Sequence, residues 1–247
     1  MARLMARRAG GTIVFLGPSL PAAEARARLP GAELAPPVAV LDVARLLRRR
    51  QPARLAIVDG YFERMAAVWH KELLLALELG VEVWGAASMG ALRAAELDRH
   101  GMRGVGAIYQ AYRRGRLTSD AEVAVAHLPA EGGYLAVSVP LVNVRAQVAR
   151  ARTARVLDAA TARATIAAAA AVPYWDRTWD AVDAALPAAT RARFAAWRAA
   201  HPFDQKAADA RALLDALAAT PPTPPAAAPV PRTWAFTQLL ALAARRR

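Results

Sequence analysis

Cysteine is absent from the 247 residues of this chain. Without a thiol, the chain can form no disulfide, thiolate zinc site or iron–sulfur cluster, and it has no cysteine nucleophile. For the same reason it cannot carry sulfur as a persulfide. Cysteine usage therefore gives no indication of the cellular compartment.

Lysine is also scarce, although the chain is strongly basic. Lys71 and Lys206 are the only lysines, while Lys and Arg together number 33 against 20 Asp and Glu, a net charge of +13. An excess of arginine with about a quarter alanine is typical of a GC-rich genome, so the charge indicates an anionic partner only in part. The basic residues lack the interleaved aromatic side chains of single-strand nucleic-acid binders. We do not expect nucleic acid as a partner, although the charge alone leaves that class open.

Long apolar runs are missing as well. The run 11–16 is too short to span a membrane, and the Ala-rich run 165–172 is short and weakly apolar. Arginines precede the first run as in a signal peptide, but the run ends at Gly17-Pro18 and falls short of the usual ~7–15 residues. We therefore expect a cytoplasmic protein without a membrane partner.

Short apolar runs alternate with amphipathic segments in the first part of the chain. Strands are predicted over 12–17, 38–41, 55–59 and 81–85, with 134–139 as a last strand or an extended loop. Helices are predicted over 21–29, 42–49, 62–79, 89–99 and 104–114. This alternation is typical of an α/β fold with a Rossmann-like parallel sheet and flanking helices.

The character of the chain changes after about residue 144. The following Ala- and Arg-rich segment has almost no strand signal and is broken by prolines, which predicts an all-helical subdomain. A Pro-rich linker over 220–232 and a short terminal helix over 234–244 follow. We predict a flexible N-terminus at 1–11, an α/β core at 12–146, a helical subdomain at 147–219, and the linker with the terminal helix at 220–247.

Three polar turns follow predicted strands: Gly17-Pro18-Ser19, Asp59-Gly60-Tyr61 and the turn 85–90. Ligands of open parallel sheets bind outside the carboxyl ends of the strands. The three turns are therefore predicted to converge on one site.

Ser88 lies between a predicted strand and a predicted helix. A nucleophile elbow places its serine at this position, next to backbone N–H groups that form an oxyanion hole. Such an elbow has glycine two residues before and two after the serine, whereas this sequence has Ala86 and Gly90. Serine is also a common N-cap, so capping and catalysis both remain open for Ser88.

A serine hydrolase usually needs a general base, and His127 is the best candidate among the four histidines. Asp120 and Glu122 lie upstream of it and could orient the ring, but a structural or surface histidine is the competing interpretation. No cluster has metal-ligand spacing and no Walker A sequence occurs, so neither a metal nor another cofactor is predicted.

Two charged groups remain ambiguous. Arg93 and Glu96 share one face of the helix after Ser88, where they either form a solvated ion pair or reach the pocket. His70 and Lys71 lie on the preceding predicted helix, and Lys71 either binds a carboxylate or is a surface residue.

Several ordered segments together resemble the TfuA-like protein family. GAASMGALRAAEL at 85–97 is the most specific of them. The others are VFLGPSL (14–20), VDGYF (58–62), VWHKELLLAL (68–77), GMRGVG (101–106), DAEVAVAH (120–127) and PLVNVR (140–145). The resemblance covers roughly residues 12–146 and leaves the helical tail without a role. It departs at Ala121, where a second acid is expected, so the relative importance of Asp120 and Glu122 stays open.

The resemblance implies an accessory protein for a YcaO-type ATP-dependent enzyme that makes peptide backbone thioamides in ribosomal peptide biosynthesis. It implies hydrolysis of a thiocarboxylated ThiS-like sulfur carrier to release sulfide, and help for YcaO in engaging its precursor peptide. Because the chain has no cysteine, sulfur would leave as sulfide or pass directly to a partner. The rival interpretation is a non-catalytic docking module of the same complex.

The predicted roles divide into catalysis and binding. The predicted catalytic residues are Ser88, His127, Glu122 and Asp120. The predicted substrate-binding residues are Gly17, Ser19, Asp59, Gly60, His70, Lys71, Met89, Gly90, Arg93, Glu96, Asn143 and Arg145.

Overall fold

A parallel sheet of five strands forms the centre of the computed structural model, which describes residues 10–61, 65–226 and 229–245. The strands are β1 (Thr12–Phe15), β2 (Glu33–Ala35), β3 (Arg54–Ile57), β4 (Glu82–Gly85) and β5 (Arg103–Gly104). Their order is β2-β1-β3-β4-β5, and every neighbouring pair is parallel. The predicted α/β class with a parallel sheet is confirmed.

Helices flank this sheet and form most of the C-terminal half. The first five are α1 (Ala22–Arg28), α2 (Asp42–Arg49), α3 (His70–Glu78), α4 (Met89–Leu97) and α5 (Ala107–Arg113). The later ones are α6 (Leu141–Thr153), α7 (Ala159–Ala171), α8 (Trp179–Ala184), α9 (Ala188–Ala200), α10 (Gln205–Ala219) and α11 (Trp234–Ala244). The helical character predicted for the tail is confirmed.

The strands alternate their side chains between two buried layers, because successive Cβ atoms of a strand point to opposite faces. Ile13 and Leu55 pack with α2, α3 and α11 on one face. Val14 and Ala56 pack with α1 and α10 on the other. A third cluster lies within α6 to α9 around the fully buried Phe194.

Helix α10 joins the tail to the sheet. The Arg54 guanidinium of β3 is buried and donates to the carbonyls of Leu217 (2.7 Å) and Thr220 (2.8 Å) at the end of this helix. The predicted boundary between residues 146 and 147 falls inside α6. In the Pro-rich segment, the Val230 amide and the Arg232 side chain bind Glu78 of α3, which holds this segment against the helix.

Some predicted bounds were wrong. The second strand lies at Glu33–Ala35 and not at 38–41, since Pro36-Pro37 ends it and Val38 only forms a bridge with Gly60. Of the two predictions for 134–139, a last strand or an extended loop, the loop is observed, with one bridge between Ala136 and His127. The short β5 was not predicted. Residues 1–9 of the predicted flexible N-terminus lie outside the described residues.

The helix predicted over 62–79 begins only at His70, and residues 62–64 lie outside the described part. Its start is fixed by Glu72. The carboxylate is fully buried and accepts a hydrogen bond from the Trp69 amide at 3.2 Å. It also accepts hydrogen bonds from the amides of Leu41, the N-cap of α2, at 2.9 Å, and of Ala44 in α2, at 3.1 Å. One side chain therefore caps two helices. Burial raises the pKa of Glu72, although the hydrogen bonds from the three backbone amides oppose this rise.

We expect Glu72→Ala to lower the free energy of unfolding by about 3 kcal/mol, because it leaves buried amides at two helix starts without an acceptor. Urea denaturation measures the change. Glu131→Ala, at an exposed glutamate, is the matched control and should change stability by less than about 0.5 kcal/mol. Equal stabilities for the two variants would contradict the capping role.

Candidate functional site

Residues from the three polar turns line one cavity of about 450 Å³ at the carboxyl ends of the strands. Pro18 comes from the first turn, Asp59 to Tyr61 from the second, and Ser88 from the third. The rest of the lining comes from the segment 123–137 and from the loop before α8, and comprises Val123, Val125, Ala126, His127, Pro129, Ala130, Val137, Tyr174 and Trp175, together with Met65.

Ser88 lies in a strained turn between β4 and α4. Its amide donates to the Ala86 carbonyl at 2.8 Å across Ala87, whose φ is +65°. A γ-turn with positive φ is rare, and an alanine in this region is costly. Ser88 is only 2% exposed, and although it occupies the N-cap position its side chain makes no capping bond. Of the two roles that the sequence leaves open for Ser88, capping is therefore not observed.

Helix α4 begins against the strand ends. A Cβ atom on Gly90 would lie 1.7 Å from the Ile57 carbonyl oxygen, and one on Gly60 would lie 2.8 Å from Met89 Cγ. These glycines let the second and third turns approach each other. The Gly90 amide donates to the Val58 carbonyl at 3.4 Å, whereas the Met89 amide is at the helix start, where N–H groups have no intrahelical acceptor.

Asp59 is buried and organises the first turn. Its Oδ2 atom accepts the amides of Gly17 (2.9 Å) and Ser19 (3.0 Å), and its Oδ1 atom accepts the Ser19 hydroxyl at 2.6 Å. These bonds occupy the carboxylate and assign it to holding the turn beside the cavity. Gly17 and Ser19 help to form this turn because they donate these hydrogen bonds.

Lys206 is the site residue that sequence reasoning missed. Its ammonium group, on α10, lies 3.8 Å from Asp59 Oδ1 and donates to the Val123 carbonyl at 3.0 Å. Burial lowers the pKa of Lys206, and the nearby Asp59 opposes this effect. The one available signal was the scarcity of lysine in an arginine-rich chain. Asn143 helps to place it, since Oδ1 accepts the Gln205 and Lys206 amides at the start of α10.

His127 is held by the backbone and by aromatic rings. Its Nδ1 atom lies 2.7 Å from the Leu128 carbonyl oxygen, an acceptor that requires a proton on Nδ1. In the neutral ring, Nε2 is then unprotonated and can accept a proton. The centroids of the Tyr61 and Tyr134 rings lie 6.1 and 5.8 Å from that of His127.

The acids upstream of His127 have other partners or lie in solvent. Glu122 accepts two hydrogen bonds from Arg145, one from Nε at 2.9 Å and one from Nη2 at 2.7 Å. Asp120 is exposed at the start of a short 3₁₀ turn. The expectation that one of them orients His127 was wrong, because the Leu128 carbonyl does so.

Arg93, Glu96 and His70 form a cluster away from the cavity lining. Glu96 Oε2 lies 2.8 Å from His70 Nε2 and 2.7 Å from Arg93 Nη1. Burial alone would raise the pKa of Glu96, but the bonds to His70 and Arg93 outweigh it and lower the pKa. Of the two alternatives for Arg93 and Glu96, the ion pair is the observed one. Lys71 contacts the Thr233 hydroxyl at the start of α11.

The described residues contain neither a candidate metal site nor a candidate membrane span. Over 10–61, 65–226 and 229–245, no group of three or more histidines and acids is arranged to hold a metal ion. Within the same ranges, no helix combines the length and apolar character needed to cross a membrane.

Comparison with known proteins gives one family match, which covers just under half of the chain. Residues 59–178 match the family model described as TfuA-like protein, a segment that includes Asp59, Ser88, His127 and Asn143. Among curated proteins no match was found. The chain therefore carries a TfuA-like region over these residues, which confirms the resemblance there and supports a general accessory role of the TfuA type. The match leaves residues 12–58 uncovered and runs past 146 into the helical tail, where no resemblance was expected.

Proposed function

We propose that this protein is an accessory thiocarboxylate hydrolase that acts in the cytoplasm. It releases sulfide from a thiocarboxylated ThiS-like carrier for a YcaO-type ATP-dependent enzyme, which thioamidates a precursor peptide in ribosomal peptide biosynthesis. The TfuA-like region supports the accessory role. One observation supports the hydrolase chemistry: a strained turn places Ser88, whose side chain makes no capping hydrogen bond, in the same cavity as His127.

The proposed reaction is an acyl transfer in two steps. Ser88 Oγ attacks the carbonyl carbon of the thiocarboxylate while His127 Nε2 takes the hydroxyl proton. The Met89 amide donates to the oxyanion. The C–S bond then breaks, His127 Nε2 gives its proton to the departing sulfur, which leaves as hydrosulfide, and the carrier remains as an ester on Ser88. Water, activated by His127, hydrolyses this ester and returns the carrier with an ordinary carboxylate.

A non-catalytic docking module is the second candidate, and one observation favours it. Met65, Val137 and Trp175 line the cavity although each is a large apolar residue with 41, 52 and 53% of its surface exposed. Exposed apolar patches of this kind mark protein contact sites. In this case the cavity would hold a chain end of a partner without reacting with it.

Sulfide release from the thiocarboxylated carrier, measured with purified protein, distinguishes the candidates. Release above the carrier's own background supports the hydrolase. Absence of release, even with the YcaO partner present, supports the docking module.

His127→Ala should slow sulfide release by about a hundredfold or more, because a positioned general base typically contributes that much. His100→Ala is the matched control, since His100 is an exposed histidine of the 3₁₀ turn Asp98–His100. It should release sulfide at the wild-type rate. An unimpaired His127→Ala enzyme would assign the base to another group.

A further inference from the structure

A second, larger cavity lies beside β2, at the edge of the sheet opposite β5. It has a volume of about 960 Å³ and lies between the edge strand β2, helix α2 and the end of α11. Five arginines line it against two acids: the arginines are Arg45, Arg48, Arg49, Arg50 and Arg245, and the acids are Glu33 and Asp42.

Most of this positive charge is not neutralised by the part of the chain that the structure describes. Glu33 is paired with Arg50, and Asp42 accepts the Ala39 amide at 2.9 Å. Among the described residues, no ion pair or hydrogen bond is found for the side chains of Arg45, Arg48, Arg49 and Arg245. Four guanidinium groups that have no partner among the described residues therefore line one groove.

Helix stabilisation explains only part of this arrangement. Arg48 and Arg49 are in the last turn of α2, where cations complement the helix dipole. Arg45 lies a turn earlier and Arg245 comes from a different helix, yet both line the same groove. Like charges brought together from separate elements repel unless an anion lies between them.

The shape and lining of the groove indicate the kind of anion. Its volume is far larger than a single small ion needs. Ile13, Phe15 and Leu46 add apolar surface, and the arginine forks suit carboxylates. Phe15 is its one aromatic side chain and is only 5% exposed, so bases of a nucleic acid would find no stacking platform among the described lining residues. β2 is an edge strand, and such strands can pair with an extended peptide.

From these observations we infer that the groove, defined by Arg45, Arg48, Arg49 and Arg245, binds an extended acidic peptide segment of a partner protein. The carboxylates pair with the arginines, and apolar side chains between them contact Ile13, Phe15 and Leu46. This docking surface is separate from the Ser88 cavity and does not depend on the proposed hydrolysis.

Fluorescence anisotropy with a short labelled peptide of alternating glutamate and valine tests the inference. The full-length protein should bind it, and the same peptide with glutamine in place of glutamate should bind at least about tenfold more weakly. Equal affinities for the two peptides would overturn the inference. Binding of a short single-stranded RNA in preference to the acidic peptide would also overturn it.

Matched charge reversals locate the binding. Arg45→Glu/Arg49→Glu should weaken peptide binding by about tenfold or more. Arg114→Glu/Arg116→Glu makes the same change in net charge at exposed arginines after α5, and it should weaken binding by less than about threefold. If both pairs weaken binding equally, the attraction is a general effect of charge and the groove is not the site. Circular dichroism checks the fold, and Arg48→Gln/Arg245→Gln repeats the test at exposed residues with a milder change.

Discussion

Ser88→Ala is expected to lower sulfide release by at least about a thousandfold while leaving the fold intact. The loss follows because the proposed nucleophile is gone, and such deletions have effects of this size in serine hydrolases. Stability should change by less than about 1 kcal/mol, since alanine fits the space and no capping bond is lost. The rate of sulfide release and the urea denaturation midpoint measure the two effects.

Ser119→Ala is a matched control with the opposite profile. Ser119 caps the 3₁₀ turn Asp120–Glu122, where its hydroxyl accepts the Ala121 amide at 3.2 Å. Its loss should cost up to about 1 kcal/mol of stability and leave sulfide release unchanged. Release that survives Ser88→Ala would contradict a serine nucleophile and indicate a water activated by His127.

Gly90→Ala is expected to destabilise the protein by at least about 4 kcal/mol or to prevent cooperative folding. The added methyl group would lie 1.7 Å from the Ile57 carbonyl oxygen and 2.6 Å from its carbon, which are backbone atoms of the central strand β3. Helix α4 would have to move away from the sheet, and such a shift disrupts the packing on both sides of it. Urea denaturation followed by circular dichroism measures the loss.

Gly10→Ala controls for the loss of a glycine as such. A Cβ atom there would meet nothing within 4 Å, so its effect should stay within about 0.5 kcal/mol. A small effect of Gly90→Ala, similar to that of Gly10→Ala, would contradict the need for close approach. Any folded Gly90→Ala protein should also release sulfide more slowly, because the displaced helix carries Ser88.

The strand–turn–helix around Ser88 could be predicted from sequence because its signals are local. A buried apolar run, a turn and an amphipathic segment follow one another, and the period of the apolar residues identifies each. The same local rule failed at 62–79, where apolar periodicity continued through Trp69. A buried carboxylate from inside the segment sets the helix start there, and no local pattern contains the partner amides of α2.

The partners of the site residues could not be predicted, because they are remote in the chain. Asp59 contacts Lys206, and Asn143 accepts hydrogen bonds from amides at the start of α10. No spacing rule covers such long separations in sequence. His127 was assigned to nearby acids on the logic of a triad, but the Arg145 side chain pairs with Glu122 instead. Charge pairing among distant residues depends on the packed fold.

The contact between Asp59 and Lys206 has a consequence for the order of events during synthesis. A growing chain leaves the ribosome at about 5–20 residues per second, and its N-terminal part can begin to fold first. The first turn, the second turn and the Val123 carbonyl are then complete long before α10 emerges with the ammonium group that contacts two of them. We therefore expect nascent chains that end before residue 205 to lack a finished site. The proposed hydrolase is expected to become competent only after Lys206 has been made, and a chain terminated before that residue should not release sulfide.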